Sequence, residues 1–227
     1  MQESAWEKEY RKPKLVTGGD APQTCMRDFV RFLRKEEKVH LEDLRVLDLG
    51  SGGGKNSLYM AEYGARVTGM EISSTALTNA CRKASEKNLP ITFLKRSIGE
   101  AYPFPDNSFD LLLDVTSSNS LDASERAVYL KECHRVLASG GHFFVRALCK
   151  DGDENAKNLL KQSPGPEAET YYMPELGLFE RVFSRDDFIA TYSPFFTFQS
   201  LEKSTQYTRF NNQSYKRNFW LAYLKKK

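Results

Sequence analysis

The sequence predicts an α/β fold, a doubly wound sheet of about seven strands, mostly parallel, with an antiparallel last strand and helices on both faces. Three observations predict it. Apolar runs of strand length alternate with helical segments from residue 45 to residue 147, the pattern of successive βαβ units. The run Phe109–Val115 is nearly unbroken apolar, as a parallel strand covered on both faces is. The chain then closes with two strand-like segments and no helix between them, which implies an antiparallel edge.

Each element follows in order. Residues 22–37 carry Met26, Phe29, Val30 and Leu33 on one stripe, with Arg and Lys elsewhere, and read as a helix. Arg45–Leu49 is the first strand, and Asn56–Tyr63 the helix after it, stopped by Gly64. Arg66–Met70 is the second strand. Ser74–Lys87 is a helix opened by Ser and Thr and ended before Asn88-Leu89-Pro90. Ile91–Leu94 and Phe109–Val115 are the third and fourth strands. Asp122–Leu137 is a helix ended by Ser139-Gly140-Gly141, and His142–Ala147 is the fifth strand. Residues 150–182 hold Gly, Pro and acids with little periodicity and read as an insertion or lid. Ser184–Tyr192 is a short helix with Ser184 as N-cap and Asp187 three residues on. Phe195–Glu202 and Asn218–Leu224 are the closing strands, with Asn211-Asn212 in their connection.

A chain of 227 residues is long enough to bury a core as one decorated domain. Its 40% hydrophobic and 28% charged content is that of a soluble protein. No apolar run approaches the roughly 20 residues of a membrane span, and the polar, acidic start is not a signal peptide. Cys25, Cys81, Cys133 and Cys149 are scattered without a C-x-x-C pair, and are read as reduced thiols of a cytoplasmic protein. The three histidines show no ligand spacing, so no metal is expected. A net charge of +3 permits an anionic partner without requiring nucleic acid.

The densest signal is Val46-Leu47-Asp48-Leu49-Gly50-Ser51-Gly52-Gly53-Gly54-Lys55, a strand running into a glycine loop and then a helix. Such a loop builds a nucleoside-sized cleft, because glycine turns sharply and offers no Cβ to an approaching ligand. The spacing breaks the G-x-G-x-x-G dinucleotide pattern, since position 55 is Lys, and no P-loop can be read through it. The second strand ends at Glu71, about twenty residues on, where an acid meets ribose hydroxyls in such units. A solvated strand-end acid is the plainer role. The segment Tyr102-Pro103-Phe104-Pro105-Asp106-Asn107-Ser108-Phe109-Asp110 turns into the fourth strand, and Arg135–Phe143 passes from helix through glycines into the fifth.

These four pieces, in this order over about residues 44–147, resemble the class I S-adenosylmethionine-dependent methyltransferases, in particular the small type 11 group. The resemblance implies a Rossmann-like sheet and S-adenosylmethionine as cofactor. It implies that Asp48, Gly50, Ser51, Gly52 and Gly54 line the methionine and ribose side, that Glu71 holds the ribose hydroxyls and that Ile72 packs on adenine. Relatives often place an Asp against the adenine amino group. The matching positions here are Ser97 and Ile98, so that acid is missing and the backbone at Ile98 and Gly99 is left to make the contact. Asp114 and Val115 would face the methionine end. Trp6-Glu7-Lys8-Glu9-Tyr10 resembles a segment that folds over the cofactor in some relatives, with Tyr10 the cofactor-side residue; a frayed terminus is the alternative. The expected organisation is a single methyltransferase domain over 1–227. Within it lie an N-terminal cap and helix (1–43), a cofactor-binding core (44–147), an insertion or lid (148–182) and a closing helix and strands (183–227).

Methyl transfer from a sulfonium is an in-line displacement, so alignment and exclusion of water do most of the work, and a base is needed only for a protonated acceptor. No residue is assigned as that base. Asp114, Asn119 and Arg146 are the catalytic candidates. Asp114 could orient the cofactor or simply cap the next turn. Arg146 could bind an acidic acceptor or sit in a surface ion pair. The segment Asp114–Ser120 lacks the [DNS]-P-P-[YFW] run of amino-group methyltransferases and the Pro-Cys of cytosine-C5 enzymes. Tyr171-Tyr172-Met173-Pro174 is a candidate aromatic lid. Tyr207, Arg209, Phe210, Tyr215, Lys216 and Arg217 interleave aromatics and bases between the closing strands. The leading reading is a methyltransferase acting on a small molecule. An RNA or protein methyltransferase, a cofactor-binding module without catalysis and a nicotinamide oxidoreductase are the rivals.

Overall fold

The computed structural model describes residues 2–14, 21–210 and 213–227, the side chains of 208–210 excepted. The expected connection at Asn211-Asn212 and the side chains of Arg209 and Phe210 therefore lie outside the described residues. In chain order the elements are α1 (Glu3–Arg11), α2 (Thr24–Lys35), β1 (Arg45–Leu49), α3 (Lys55–Ala61), β2 (Arg66–Glu71), α4 (Ser74–Glu86), β3 (Thr92–Lys95) and β4 (Phe109–Val115). There follow a single 3-10 turn (Ser118–Ser120), α5 (Ala123–Val136), β5 (Leu137–Leu148), α6 (Glu154–Gln162), β6 (Thr170–Met173), β7 (Leu178–Arg181), α7 (Arg185–Tyr192), β8 (Phe196–Phe210) and β9 (Gln213–Lys226).

Among the described residues seven strands form one sheet in the order β3-β2-β1-β4-β5-β9-β8, and β6 and β7 form a separate hairpin. β1 to β5 are parallel, while β9 runs antiparallel to β5 and to β8. The strand order reverses at β1, which lies between β2 and β4. A doubly wound sheet opens its ligand crevice at this point, beyond the carboxyl ends of the strands.

Alternation along the strands assigns each side chain a face. Leu47, Leu49, Leu112, Phe143 and Val145 pack with Tyr129, Cys133 and Val136 of α5 and Phe188 and Tyr192 of α7. Val46, Leu111, Leu113 and Phe144 pack on the other face with Phe29, Val30 and Leu33 of α2 and Met60 of α3. The same alternation puts Asp48 and Arg146 on the α2–α3 face, at strand ends where packing gives way to polar groups. α4 buries Ala76, Ala80 and Ala84, an i, i+4 ladder of small residues that lets it approach closely.

Three expectations need correction, and one of two alternatives is excluded. The Ser139-Gly140-Gly141 segment does not stop a helix. α5 ends at Val136 and the glycines lie inside β5, where the register against β4 shifts between Phe109 and Leu111. Residues 148–182 are not irregular but contain α6 and the β6–β7 hairpin. α6 buries only Ala156 fully, too thin a stripe to read from sequence. The aromatic and basic residues thought to connect the closing strands are strand residues. β8 and β9 extend to 15 and 14 residues, paired from Phe196–Lys226 to Phe210–Gln213. Their alternating Thr, Gln and Tyr are good strand formers, but they are polar on both faces and so carry no period. Finally, the N-terminal segment is helical from Glu3 and docked, not frayed. Glu7 accepts from Ser73 Oγ at 2.7 Å and from Thr75 Oγ1 at 2.6 Å, and Gln2 Nε2 donates to the Ser120 carbonyl at 2.6 Å. All four cysteines are unpaired. Among the described residues no helix is long and apolar enough to cross a membrane.

Candidate functional site

A cavity of about 830 Å3 opens at the switch point, toward the upper end of the roughly 300–1,000 Å3 typical of ligand sites. The loop after β1 forms its floor, and the ends of β2, β4 and β5 contribute Glu71, Val115 and Arg146. α1 covers it with Gln2, Trp6 and Tyr10, the β6–β7 hairpin with Tyr172, Met173 and Pro174, and the outer part of β8–β9 with Gln206, Tyr207 and Tyr215.

The floor is bare backbone because two glycines turn through conformations other residues avoid. Gly50 has φ +67° and Gly52 φ +55°. A Cβ at Gly50 would collide with the Ser117 side chain, and one at Gly52 with the Tyr10 hydroxyl. Thr116 also sits at φ +67°, a strained position for a β-branched residue. It reverses the chain at the cavity wall, where its N–H donates to the Arg146 carbonyl at 2.8 Å.

At one end Glu71 lines the cavity, with two further buried acids, Asp48 and Asp114, behind the wall. Glu71 is 5% exposed and accepts from the N–H groups of Gly52, Ile72 and Ser73 at 2.8, 2.8 and 2.7 Å. Burial raises its pKa, and those three donors pull the other way. Asp48 lies behind the floor, takes the Ser57 hydroxyl at 2.6 Å, and is pushed up to about 6 by burial, with the charges of Asp114 and Glu71 adding to the effect. Asp114 is also raised by burial. It accepts from Tyr129 Oη at 2.6 Å and from the N–H groups of Ser117 and Ser118 at 2.9 and 3.3 Å. Three buried carboxylates that resist ionisation together form a site that gains from an arriving cation.

The other end is cationic. Arg146 is 7% exposed. Its guanidinium stacks 3.5 Å from the Phe219 ring centroid, and its Nη2 donates to Gln206 Oε1 at 3.0 Å. Burial pushes its pKa down to about 10, so it stays protonated at neutral pH. Lys55, at the start of α3, lines the same cavity, and its pKa is lowered by burial and then by Arg146. Asn119 is fully buried, with Oδ1 accepting from the Leu148 N–H at 3.1 Å. Six lining residues hold buried polar atoms without a hydrogen-bond partner among the described residues: Gln23 Oε1, Ser51 Oγ, Asn56 Oδ1, Asn119 Nδ2, Ser120 Oγ and Arg146 Nε. Such atoms are costly in a folded chain and call for a partner.

The structure brings Tyr10, Gly50, Ser51, Gly52, Glu71, Ile72, Ile98, Val115, Asn119 and Arg146 to the cavity wall. Asp48, Gly54, Gly99 and Asp114 are not among its lining residues. Asp114 caps the turn after β4, and Gly54 meets Ala80 of α4, where an added Cβ would stand 3.0 Å from the Ala80 Cβ. Ser97 Oγ accepts from the Gly99 N–H at 3.1 Å, and Ile98 supplies a carbonyl to Tyr102 Oη at 3.0 Å. Of the aromatic pair in the insertion, Tyr172 lines the cavity while Tyr171 is fully buried, donating to Glu180 at 2.7 Å and accepting from Arg217 at 2.9 Å. Sequence reasoning missed Gln23, Lys55, Asn56, Ser117, Gln206 and Phe219. Lys55 and Asn56 directly follow the glycine loop, a position that could have flagged them.

Residues 47–145 match the family described as "Methyltransferase domain". The chain is similar to the ubiquinone/menaquinone biosynthesis C-methyltransferase UbiE of Zymomonas mobilis, 27% identical over 150 residues that cover 66% of this chain and 57% of that protein. It is similar to a ubiquinone biosynthesis O-methyltransferase of Marinobacter nauticus, 29% identical over 143 residues, 62% of this chain and 57% of that protein. In fold it resembles the Burkholderia thailandensis 1,6-didemethyltoxoflavin-N1-methyltransferase crystallised with 1,6-didemethyltoxoflavin and S-adenosylhomocysteine. That match has a TM-score of 0.71 at 18% identity over 99% of this chain and 86% of that one. The chain spans 53–57% of the length of the first curated relatives it matches.

Proposed function

We propose that this chain, which belongs through residues 47–145 to the class I S-adenosylmethionine-dependent methyltransferases, transfers a methyl group from that cofactor to a small molecule. The observation that carries the reading is the glycine-floored crevice at the switch point, with buried Glu71 at the end of β2. The relatives support the acceptor class, since two act in quinone biosynthesis and the structural neighbour holds a small heterocycle by name.

The residues present fit the cofactor. Its sulfonium and ammonium suit an end where burial disfavours the charge of Asp48, Glu71 and Asp114, with Asp114 and Glu71 adding to the effect on Asp48, and its hydroxyls suit the Glu71 carboxylate. Gly50 and Gly52 leave room along the floor, and Ile72 and Ile98 offer apolar surface for adenine. When bound, S-adenosylmethionine supplies an electrophilic methyl on sulfur for in-line displacement. The chain's own residues bind, orient and exclude water. α1 is tied across the crevice by Gln2 and Glu7, and Trp6 packs with Leu176 and Leu178 beside the β6–β7 hairpin, so two separate segments roof the same space. Positioning of this kind supplies on the order of 7–11 kcal/mol. We assign no general base: Asp114 is committed to Tyr129 and the turn after β4.

The roof supports a small acceptor over a polymer. Arg217, which sequence grouped with a nucleic-acid-like patch, is buried and bonded to Asp153 and Tyr171, leaving it no phosphate to meet. We read residues 1–227 as one domain, with α1 and residues 148–182 as its cover, and the unpaired cysteines as fitting a reducing cytoplasm. Calorimetry with S-adenosylmethionine tests the cofactor, with Glu71→Ala expected to lose most of the affinity. Labelled cofactor with a metabolite extract should yield a labelled small product. Label confined to RNA or protein would refute the acceptor class, and no binding would refute the cofactor.

A further inference from the structure

The described structure gives Arg146 no counter-charge. Two other arginines are buried as deeply. Arg126, 7% exposed, pairs with Glu167 at 3.0 Å, and Arg217, 9% exposed, pairs with Asp153 at 3.2 Å. Arg146, 7% exposed, has no carboxylate within 4.0 Å among the described residues. Its fixed bonds use one nitrogen, on Gln206, and its Nε is buried without a partner. A buried cation is normally retained only with a partner.

Three further features face the same end of the cavity. Lys55, a second cation, has no hydrogen bond or ion pair among the described residues, and burial and the charge of Arg146 both disfavour its own. Gln23, the N-cap of the 12-residue α2, makes no capping bond, so a positive helix end also opens here. Phe219 holds the guanidinium flat, which fixes the fork that an oxyanion meets in two parallel bonds. Leu148, Leu159, Met173 and Tyr172 form the apolar wall next to it.

We propose that the acceptor is an acid: a small molecule whose anionic group seats on Arg146, with Lys55 and the α2 N-terminus beside it, and whose apolar body lies along the neighbouring wall. This rests on the methyltransferase reading and adds the acceptor's charge to it. Arg146 is then a specificity residue that sets which molecule enters. Its place at the end of β5, paired in register with Val115 of β4, puts the anion beside the strand end where the resemblance locates the cofactor's methionine.

The test uses the full chain and tritiated S-adenosylmethionine with a metabolite extract in three portions: complete, depleted on an anion exchanger, and treated with phosphatase. Product label from the complete extract should vanish after depletion. Loss on phosphatase treatment identifies a phosphate monoester, and survival identifies a carboxylate or another phosphatase-resistant acid. The active fraction is then titrated against Arg146→Gln and Arg146→Lys. The Gln variant should raise KM about thirtyfold or more with kcat little changed, the Lys variant should fall between, and S-adenosylhomocysteine binding by calorimetry should match wild type in both. Undiminished labelling from the depleted extract, or a wild-type KM in Arg146→Gln with homocysteine-adduct binding intact, overturns the proposal. No labelling from the complete extract overturns the methyltransferase reading itself, whatever Arg146 does.

Discussion

Asp48 makes cofactor affinity depend on pH, in a direction the geometry fixes. It is 1% exposed, and its pKa is pushed from an ordinary 3.8 up to about 6 by burial, with Asp114 and Glu71 adding and Ser57 opposing. A cation arriving in the cavity favours the ionised form, so binding releases a proton wherever Asp48 is protonated in the free protein. With a midpoint near 6, the ionised fraction rises from about one in eleven at pH 5 to about ten in eleven at pH 7, and affinity should rise about tenfold over that interval. Burial raises Glu71 and Asp114 in the same direction. Stability of the free protein moves oppositely. The folded state holds this proton more tightly than the unfolded state, so stability is lost as pH rises from about 4 to about 6, by on the order of 3 kcal/mol from Asp48. Calorimetric titration of S-adenosylmethionine at pH 5, 6 and 7, in two buffers of different ionisation enthalpy, measures affinity and proton release together. Ser57→Ala, which removes the opposing hydrogen bond, should move the midpoint upward. Affinity that is flat or falls with pH, or binding that takes up protons, would refute the electrostatic account of this end of the cavity.

Other outcomes follow from single residues. Gly52→Ala puts a methyl against the Tyr10 hydroxyl at a left-handed φ. It should lower the melting temperature and weaken cofactor binding, and adding Tyr10→Phe should restore only part of the loss. Thr116→Gly relieves a left-handed β-branched residue, a gain of roughly 1–2 kcal/mol set against roughly 0.5–1 kcal/mol of glycine entropy; thermal melts should show no destabilisation. Glu7→Ala removes the bonds from Ser73 and Thr75 that hold the Glu7 carboxyl down at about 2. Hydrogen bonds to a charged group contribute about 1.5–3 kcal/mol, so trypsin should cut after Arg11 much faster in that variant.

The parts of the molecule legible in the sequence are those where burial forces a pattern. Arg45–Leu49 and Phe109–Val115 were read to the residue because a strand covered on both faces is apolar over most of its length. Ser184 and Asp122 were read as helix starts because their side chains satisfy amide groups that nothing else reaches, and both accept from the third residue on, at 3.2 and 2.8 Å. The glycine loop was legible because its backbone conformation excludes other residues. The cover was not. α6 is short and buries only Ala156 fully, the outer β8–β9 ladder is polar, and the long pairing of Thr205, Gln206 and Tyr207 with Asn218, Arg217 and Lys216 is a tertiary fact. The isolation of Arg146 was equally hidden. A sequence places an arginine at a strand end but does not reveal that no carboxylate among the described residues pairs with it.

The overlong β8–β9 hairpin divides one element between two tasks. Its inner half, where Phe219, Trp220, Ala222 and Leu224 are buried against β5, completes the sheet. Its outer half, beyond the last β5 pairing at Leu148–Phe219, stands on the cavity rim with Gln206, Tyr207 and Tyr215. Acceptor choice and resistance to unfolding are thereby written on separate stretches of the same ribbon. Rim positions can be exchanged in search of new acceptors while the hydrophobic half stays as it is, so a library confined to Gln206, Tyr207 and Tyr215 should retain its melting temperature even as its selectivity drifts.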